Sequence, residues 1–193
     1  MKVGILGGGQ LARMLALAGQ PLGMETVFLD PATDACAASA ARQIHGAYDA
    51  GERVRELASG ATAVTYDLEA VPEATIDLLS SLSAVHPNPD ALATTRDRLR
   101  EKTLFREQGI PTAPFATVDS QQDLEAAVAD IGLPAVLKTR SFGYDGKGQK
   151  VLRERADLEG ACAELGDAPL LLEGMVAFQR EVSVIAVRGR DGA

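Results

Sequence analysis

The chain has 193 residues, room for one large domain or two small ones. Its hydrophobic fraction of 46% and charged fraction of 24% exclude disorder as the main state, and no apolar run approaches the ~18 residues that span a bilayer. A net charge of −8 speaks against nucleic acid held on a broad basic surface, while leaving room for one local basic pocket for phosphates.

In chain order, Val3-Gly4-Ile5-Leu6 reads as a buried strand, cut at once by Gly7-Gly8-Gly9 and so unlike a signal peptide. Leu11, Met14, Leu15 and Ala18 then repeat at helical spacing, with Gly19 as the stop. Strands follow at 26–29, near 43–45 and at 61–66, then a helix over 72–81 and a brief fifth strand at 84–85. This rhythm predicts a parallel sheet with crossover helices. Residues 90–109 read as one charged helix, ended by Gly109-Ile110-Pro111, and the domain boundary lies near 90–112. Beyond it come a strand at 115–118, a helix at 121–131, a strand at 135–138, a glycine-rich loop at 141–149, a strand at 150–153, a helix at 155–165 and a strand at 170–173. Glu181 to Val187 is strongly β in character. Cys36 and Cys162 stand far apart with no motif around them and read as reduced core thiols of a cytosolic protein. His45 and His86 have no Cys or acid at ligand spacing and read as structural, and no zinc motif is present.

Two places carry chemistry. The first is Gly7-Gly8-Gly9 between a strand and a helix, where backbone can approach an anion. Gly7, Gly9 and Ala12, with Asp30 at the end of the second strand, partly match a dinucleotide fingerprint; the alternative is a turn with no ligand. The second is Ser141 to Gln149, which follows Lys138 at the end of an apolar strand. Its glycines and Lys147 suit a phosphate lid, and Tyr144-Asp145-Gly146-Lys147 equally suits a hairpin turn. Glu173, after the apolar run 169–172, sits where a strand-end acid meets an adenine amine or a ribose hydroxyl; the alternative is a solvated turn.

The order of these parts, a lysine on a strand, a glycine-rich hairpin, a helix, a strand ending in an acid and then Glu181, resembles the ATP-grasp fold. The spelling resembles the 5-(carboxyamino)imidazole ribonucleotide synthase family in particular. The matching segments are Gly9 to Leu15, Asp97-Arg98 through Lys102 and Phe105, 111–114, and above all Gly143-Tyr144-Asp145-Gly146-Lys147-Gly148-Gln149.

The resemblance implies an α/β chain: a Rossmann-like pre-ATP-grasp domain over 1–95, then over 96–193 the first, incomplete part of an ATP-grasp domain with its small lid at about 112–175. It implies ATP contacts from Arg98, Lys138, Gly143 through Gln149, Glu173, Gly174, Met175, Val176 and Glu181. It implies substrate contacts from Gly8, Gly9, Gln10, Leu11, Glu69, Tyr144 and Asp145. Around Glu69 the family usually has Glu-Phe-Glu-Asn, and this chain has Asp67-Leu68-Glu69-Ala70. The implied reaction is ATP- and bicarbonate-dependent carboxylation of 5-aminoimidazole ribonucleotide in the cytoplasm, by a homodimer at full length. Magnesium ligands are expected beyond residue 193, so the chain alone is expected to be inactive and poorly covered. Three rivals stand beside it: an NAD-dependent dehydrogenase, a non-catalytic nucleotide-binding module, and another ATP-grasp ligase such as the formate-dependent glycinamide ribonucleotide transformylase.

Overall fold

The computed structural model describes residues 1–141, 143, 147–166, 168–187 and 189. They divide into two compact units: Met1–Ile110 with Arg140–Tyr144, and Pro111–Thr139 with Asp145–Ala193.

The first unit holds strands β1 (Lys2–Leu6), β2 (Glu25–Asp30), β3 (Arg42–His45) and β4 (Ala63–Tyr66) in one parallel sheet, ordered β3-β2-β1-β4. Helices α1 (Gln10–Gly19), α2 (Gly51–Ala58) and α3 (Glu73–Leu82) provide the crossovers. The strands are apolar runs because a parallel sheet is covered on its faces. Leu6, Val27, Leu29 and Val64 are fully buried with Leu57 of α2 and Leu79 of α3. The strand order reverses between β1 and β4, so the crevice beyond their C-terminal ends is where such a sheet receives a ligand.

Three expectations change in this unit, and one helix is added. Helix α1 buries Ala12, Ala16 and Gly19, and leaves Leu11, Met14, Leu15 and Leu17 exposed. Small residues face the core because the helix lies close to its neighbours. Helix α2 carried no sequence signal that we read. Residues 84–85 contribute a single bridge, Val64 to Val85. The predicted helix 90–109 is two helices, α4 (Pro89–Thr95) and α5 (Arg98–Glu107), because Asp97 caps the second one, accepting from the amides of Leu99 and Arg100.

The second unit is an antiparallel sheet ordered β5-β8-β6-β7, from β5 (Phe115–Val118), β6 (Ala135–Thr139), β7 (Gln149–Leu152) and β8 (Leu170–Gly174). Helix α6 (Gln121–Ile131), capped by Ser120, packs on β5 and β8 through Leu124, Ala127 and Val128. The predicted helix 155–165 breaks into a 3₁₀ turn at Arg155–Leu158 and a short α7 (Ala161–Glu164), since Gly160 between them has a left-handed φ of 69°. Residues 181–187 form no strand: β propensity needs a ladder partner, and Val182, Val184, Ile185 and Val187 are 79–94% exposed. Cys36 is exposed and Cys162 half-buried, so the expectation of two core thiols fails; both are free thiols.

Candidate functional site

The glycine turn between β1 and α1 is built around two carboxylates. Asp67, just beyond β4, accepts from the amides of Gly9 (3.0 Å) and Ala12 (3.3 Å). Gly9 has no side chain to cap the helix, so an acid 58 residues away in sequence does so. Asp30 accepts from Gly8 N (2.7 Å), Ala32 N (2.8 Å) and the Tyr48 hydroxyl (2.8 Å). Burial raises the Asp67 carboxyl above its ordinary value; the two amide bonds oppose this and nearby Asp30 adds to it. Burial, then the bond to Asp30, likewise raises the Tyr48 hydroxyl.

The three glycines follow from this packing. A Cβ at Gly7 would lie 1.6 Å from Asp67 Oδ1, and one at Gly8 would lie 2.5 Å from the Phe28 ring. Asp30, the acid a dinucleotide fold would present to a ribose, is 9% exposed and engaged on both oxygens. A pyrophosphate at these amides would meet two carboxylates, so the turn is poorly suited to a dinucleotide. Gln10 is exposed, its Oε1 accepting from Cys36 Sγ at 3.0 Å, and Leu11 is exposed beside it.

A polar pocket of about 200 Å³ lies elsewhere in the same unit. Glu69, Arg96, Arg98, Glu101, Arg140 and Gly143 contribute to its lining. It brings together two residues singled out from the sequence for different ligands, Glu69 and Arg98. Arg98 Nη2 donates to the Gly143 carbonyl at 3.0 Å, and Arg98 N donates to the Arg140 carbonyl at 2.9 Å. Arg140 forks onto Asp97, with Nε on Oδ1 at 3.1 Å and Nη2 on Oδ2. Burial alone would raise the Asp97 carboxyl, but Arg140 and the Leu99 and Arg100 amides outweigh it and hold Asp97 below its ordinary value. Sequence reasoning missed Arg96, Glu101 and Arg140. The one available signal was Asp97 before a run of helix formers, the pattern of an N-cap.

In the second unit Lys138 and Glu173 stand on one face of neighbouring antiparallel strands. In register, Val136 is opposite Glu173 and Lys138 opposite Leu171, so the pair is diagonal. Lys138 Nζ donates to Glu173 Oε2 at 2.9 Å, with side chains 21% and 9% exposed. Leu137 and Leu172 point to the opposite, fully buried face. The hairpin expected at 138–149 forms at its base: Lys138 is opposite Gln149, and Thr139 N donates to Gly148 O at 2.8 Å. Lys147 is exposed. Tyr144, Asp145 and Gly146 lie outside the described residues. Gly174 N donates to Pro114 O and Met175 N to Pro134 O, which continues the pairing of β8 with the residues just before β5 and β6. Met175 and Val176 are 38% and 55% exposed. Glu181 is exposed and lies outside any strand, a correction to its expected setting.

Among the described residues no group of three or more His, Cys, Asp or Glu is placed to hold a metal ion. No described helix is long and apolar enough to cross a membrane.

The ribonucleotide synthetase preATP-grasp domain matches residues 1–96, and the ATP-grasp domain matches 103–193. The N5-carboxyaminoimidazole ribonucleotide synthase of Pseudomonas aeruginosa is 58% identical over 192 residues, covering 100% of this chain and 53% of the relative. The crystal structure of N5-carboxyaminoimidazole ribonucleotide synthetase from Thermus thermophilus superposes with a TM-score of 0.90 at 45% identity, over 99% of this chain and 51% of that one. The Aspergillus clavatus enzyme in complex with ADP and 5-aminoimidazole ribonucleotide superposes at 0.81 with 28% identity, over 92% of this chain and 47% of that one. The chain thus spans about half the length of the curated relatives it matches. Matched in both domain types and in their order, the chain belongs to the N5-carboxyaminoimidazole ribonucleotide synthase family, of which it carries the pre-ATP-grasp domain and the first part of the ATP-grasp domain.

Proposed function

We propose that the protein carboxylates 5-aminoimidazole ribonucleotide with ATP and bicarbonate, and that residues 1–95 and 96–193 serve as its pre-ATP-grasp domain and the first part of its ATP-grasp domain. The observation that carries this reading is the Lys138–Glu173 pair beside the base of a glycine-rich hairpin. A lysine held on a half-buried strand face by one carboxylate is a ready cation for a phosphate that displaces or joins that carboxylate.

In this reading Arg98, Lys138 and Lys147 neutralise the triphosphate, and Gly143 to Gln149, with Tyr144, Asp145 and Gly146, cover it. Glu173, Gly174, Met175, Val176 and Glu181 serve the adenosine. The Met175 amide is already given to Pro134, so its carbonyl is the acceptor for the adenine amine. Gln10, Leu11 and Glu69 face the ribonucleotide. The carboxylates at Gly8 and Gly9 favour the uncharged ribose or amine there over the phosphate.

Bicarbonate oxygen attacks the γ-phosphorus, and ADP leaves with the bond's electrons. The exocyclic amine nitrogen then bonds to the carboxyl carbon of carboxyphosphate, the carbon–oxygen bond to phosphate breaks, and inorganic phosphate departs with the proton the amine gives up. Positive charge and exclusion of water are the chain's contributions to these steps. Magnesium belongs to the reading as a cation that would share the triphosphate charge with Arg98, Lys138 and Lys147, and no step is assigned through it. A cytoplasmic homodimer remains part of the reading, and the exposed apolar side chains of Met14, Leu15 and Leu22 are consistent with a second copy.

The test is ADP release by the full-length protein. It is expected to require both bicarbonate and 5-aminoimidazole ribonucleotide and to fall at least a hundredfold in Lys138→Met. ADP release indifferent to either co-substrate overturns the proposal.

A further inference from the structure

We propose that Asp97 and Arg140 are a positioning pair that holds the Arg98 guanidinium, and the start of the glycine-rich loop, in place for a phosphate. The inference rests on the reading of Arg98 as a phosphate ligand. The observation behind it is a closed ring of three links. Arg140 grips Asp97 side chain to side chain, at 3.1 Å through Nε and again through Nη2. Arg98 N donates to Arg140 O at 2.9 Å, main chain to main chain. Arg98 Nη2 donates to Gly143 O at 3.0 Å, side chain to main chain. The start of α5 is therefore tied three times to Arg140 and Gly143, within one unit.

Asp97 does more than a helix cap requires. It accepts from Leu99 N at 2.8 Å and Arg100 N at 3.4 Å, and Asn or Ser would serve that purpose about as well. Only a carboxylate also receives both arms of a guanidinium fork. Arg140, in turn, is compensated by its own acid and 24% exposed, so it is a weak phosphate ligand and a strong fixture. Arg98 follows the cap directly, and its backbone is set by the cap while its side chain is set by the loop. Losing the fork leaves every phosphate-contacting group in the chain but removes the one side-chain-to-side-chain link of the three, so Arg98 is held only by its bonds to the Arg140 and Gly143 carbonyls.

The variants Asp97→Asn, Arg140→Gln, the double variant and Arg140→Lys separate positioning from simple stability. The readouts are ATP affinity by calorimetry, melting temperature, and exchange of the Arg98 amide hydrogen, all on this chain. Each single variant is expected to bind ATP about tenfold more weakly, and the double variant no more weakly than the worse single one, because the two act as one unit. Lysine offers a point charge in place of a fork, so Arg140→Lys is expected to recover melting temperature and not affinity. Affinities within twofold of the parent, with only melting temperature lowered, overturn the proposal and leave a structural bridge. Should the parent chain bind no ATP, the phosphate reading of Arg98 fails by itself. The pair is then judged on the Arg98 amide: faster exchange in Arg140→Gln upholds the positioning, and unchanged exchange overturns it.

Discussion

Gly7→Ala tests why the first helix is preceded by three glycines. Gly7 has a φ of 99°, where an L side chain costs about 1–2 kcal/mol. The added Cβ would stand 1.6 Å from Asp67 Oδ1 and 2.4 Å from Leu68 Cδ2, so both side chains must move, at about 1–3 kcal/mol for overpacking. A displaced Asp67 gives up its bonds to Gly9 and Ala12, a helix cap worth about 1 kcal/mol. Together these come to about 4 kcal/mol. Gly23→Ala is the control: its φ of 69° is also left-handed, but nothing lies within 4 Å of the new Cβ, so about 1 kcal/mol is expected. At about 2–4 °C per kcal/mol for a chain of this size, melting followed by circular dichroism should fall by about 12 °C in Gly7→Ala and about 3 °C in Gly23→Ala. Removing the obstacle with Asp67→Ala should make the double variant less destabilised than the sum of its singles. Equal losses in Gly7→Ala and Gly23→Ala would refute the argument that the turn is shaped by Asp67.

Other consequences are open to measurement. Lys138→Met leaves the Glu173 carboxylate, 9% exposed, without its lysine; after discounting for the partial exposure of Lys138, a loss of about 2–3 kcal/mol in urea unfolding is expected. Lys138→Met with Glu173→Leu should recover most of that loss, and a double variant as unstable as Lys138→Met would contradict the pairing. Because the Asp67 carboxyl is raised in the folded chain, it takes up its proton before the unfolded chain does. Its contribution to stability therefore grows as pH falls through the folded value and levels off below about 4. The stability difference between the parent and Asp67→Asn should accordingly move in the parent's favour from pH 7 to pH 4, and a constant difference would count against it. Asp97 is held below its ordinary value, so its contribution is complete above about 4 and is lost as pH falls through the folded value. Asp97→Asn should flatten that acid limb, and an unchanged limb would contradict the Arg140 fork.

The strands were legible because their signal is local. Runs such as Ala135-Val136-Leu137 and Leu170-Leu171-Leu172 are continuous apolar stretches that only a covered sheet accommodates. The orientation of α1 was not, because large apolar residues dominate a periodicity count, and the face that meets the core carries Ala12, Ala16 and Gly19. Residues 181–187 misled for the opposite reason: their β-branched character is intrinsic, whereas a strand exists only with a partner. Among the candidate residues, Lys138 and Glu173 could be named from motif order, and Arg98 from the family resemblance. Asp67 registered only as a departure in spelling, since its task as a cap joins residues 58 apart. Arg140 escaped notice because what distinguishes it is an ion pair across 43 residues, which no local pattern carries.

Under the proposed function the chain binds ATP and not a dinucleotide. Calorimetric titration of the chain with ATP and, separately, with NADH tests it most directly. One saturable site for ATP, weakened at least tenfold in both Arg98→Ala and Lys138→Met, with no heat from NADH, is the expected result. Saturable NADH binding that Asp67→Ala strengthens, with no response to ATP, would contradict it.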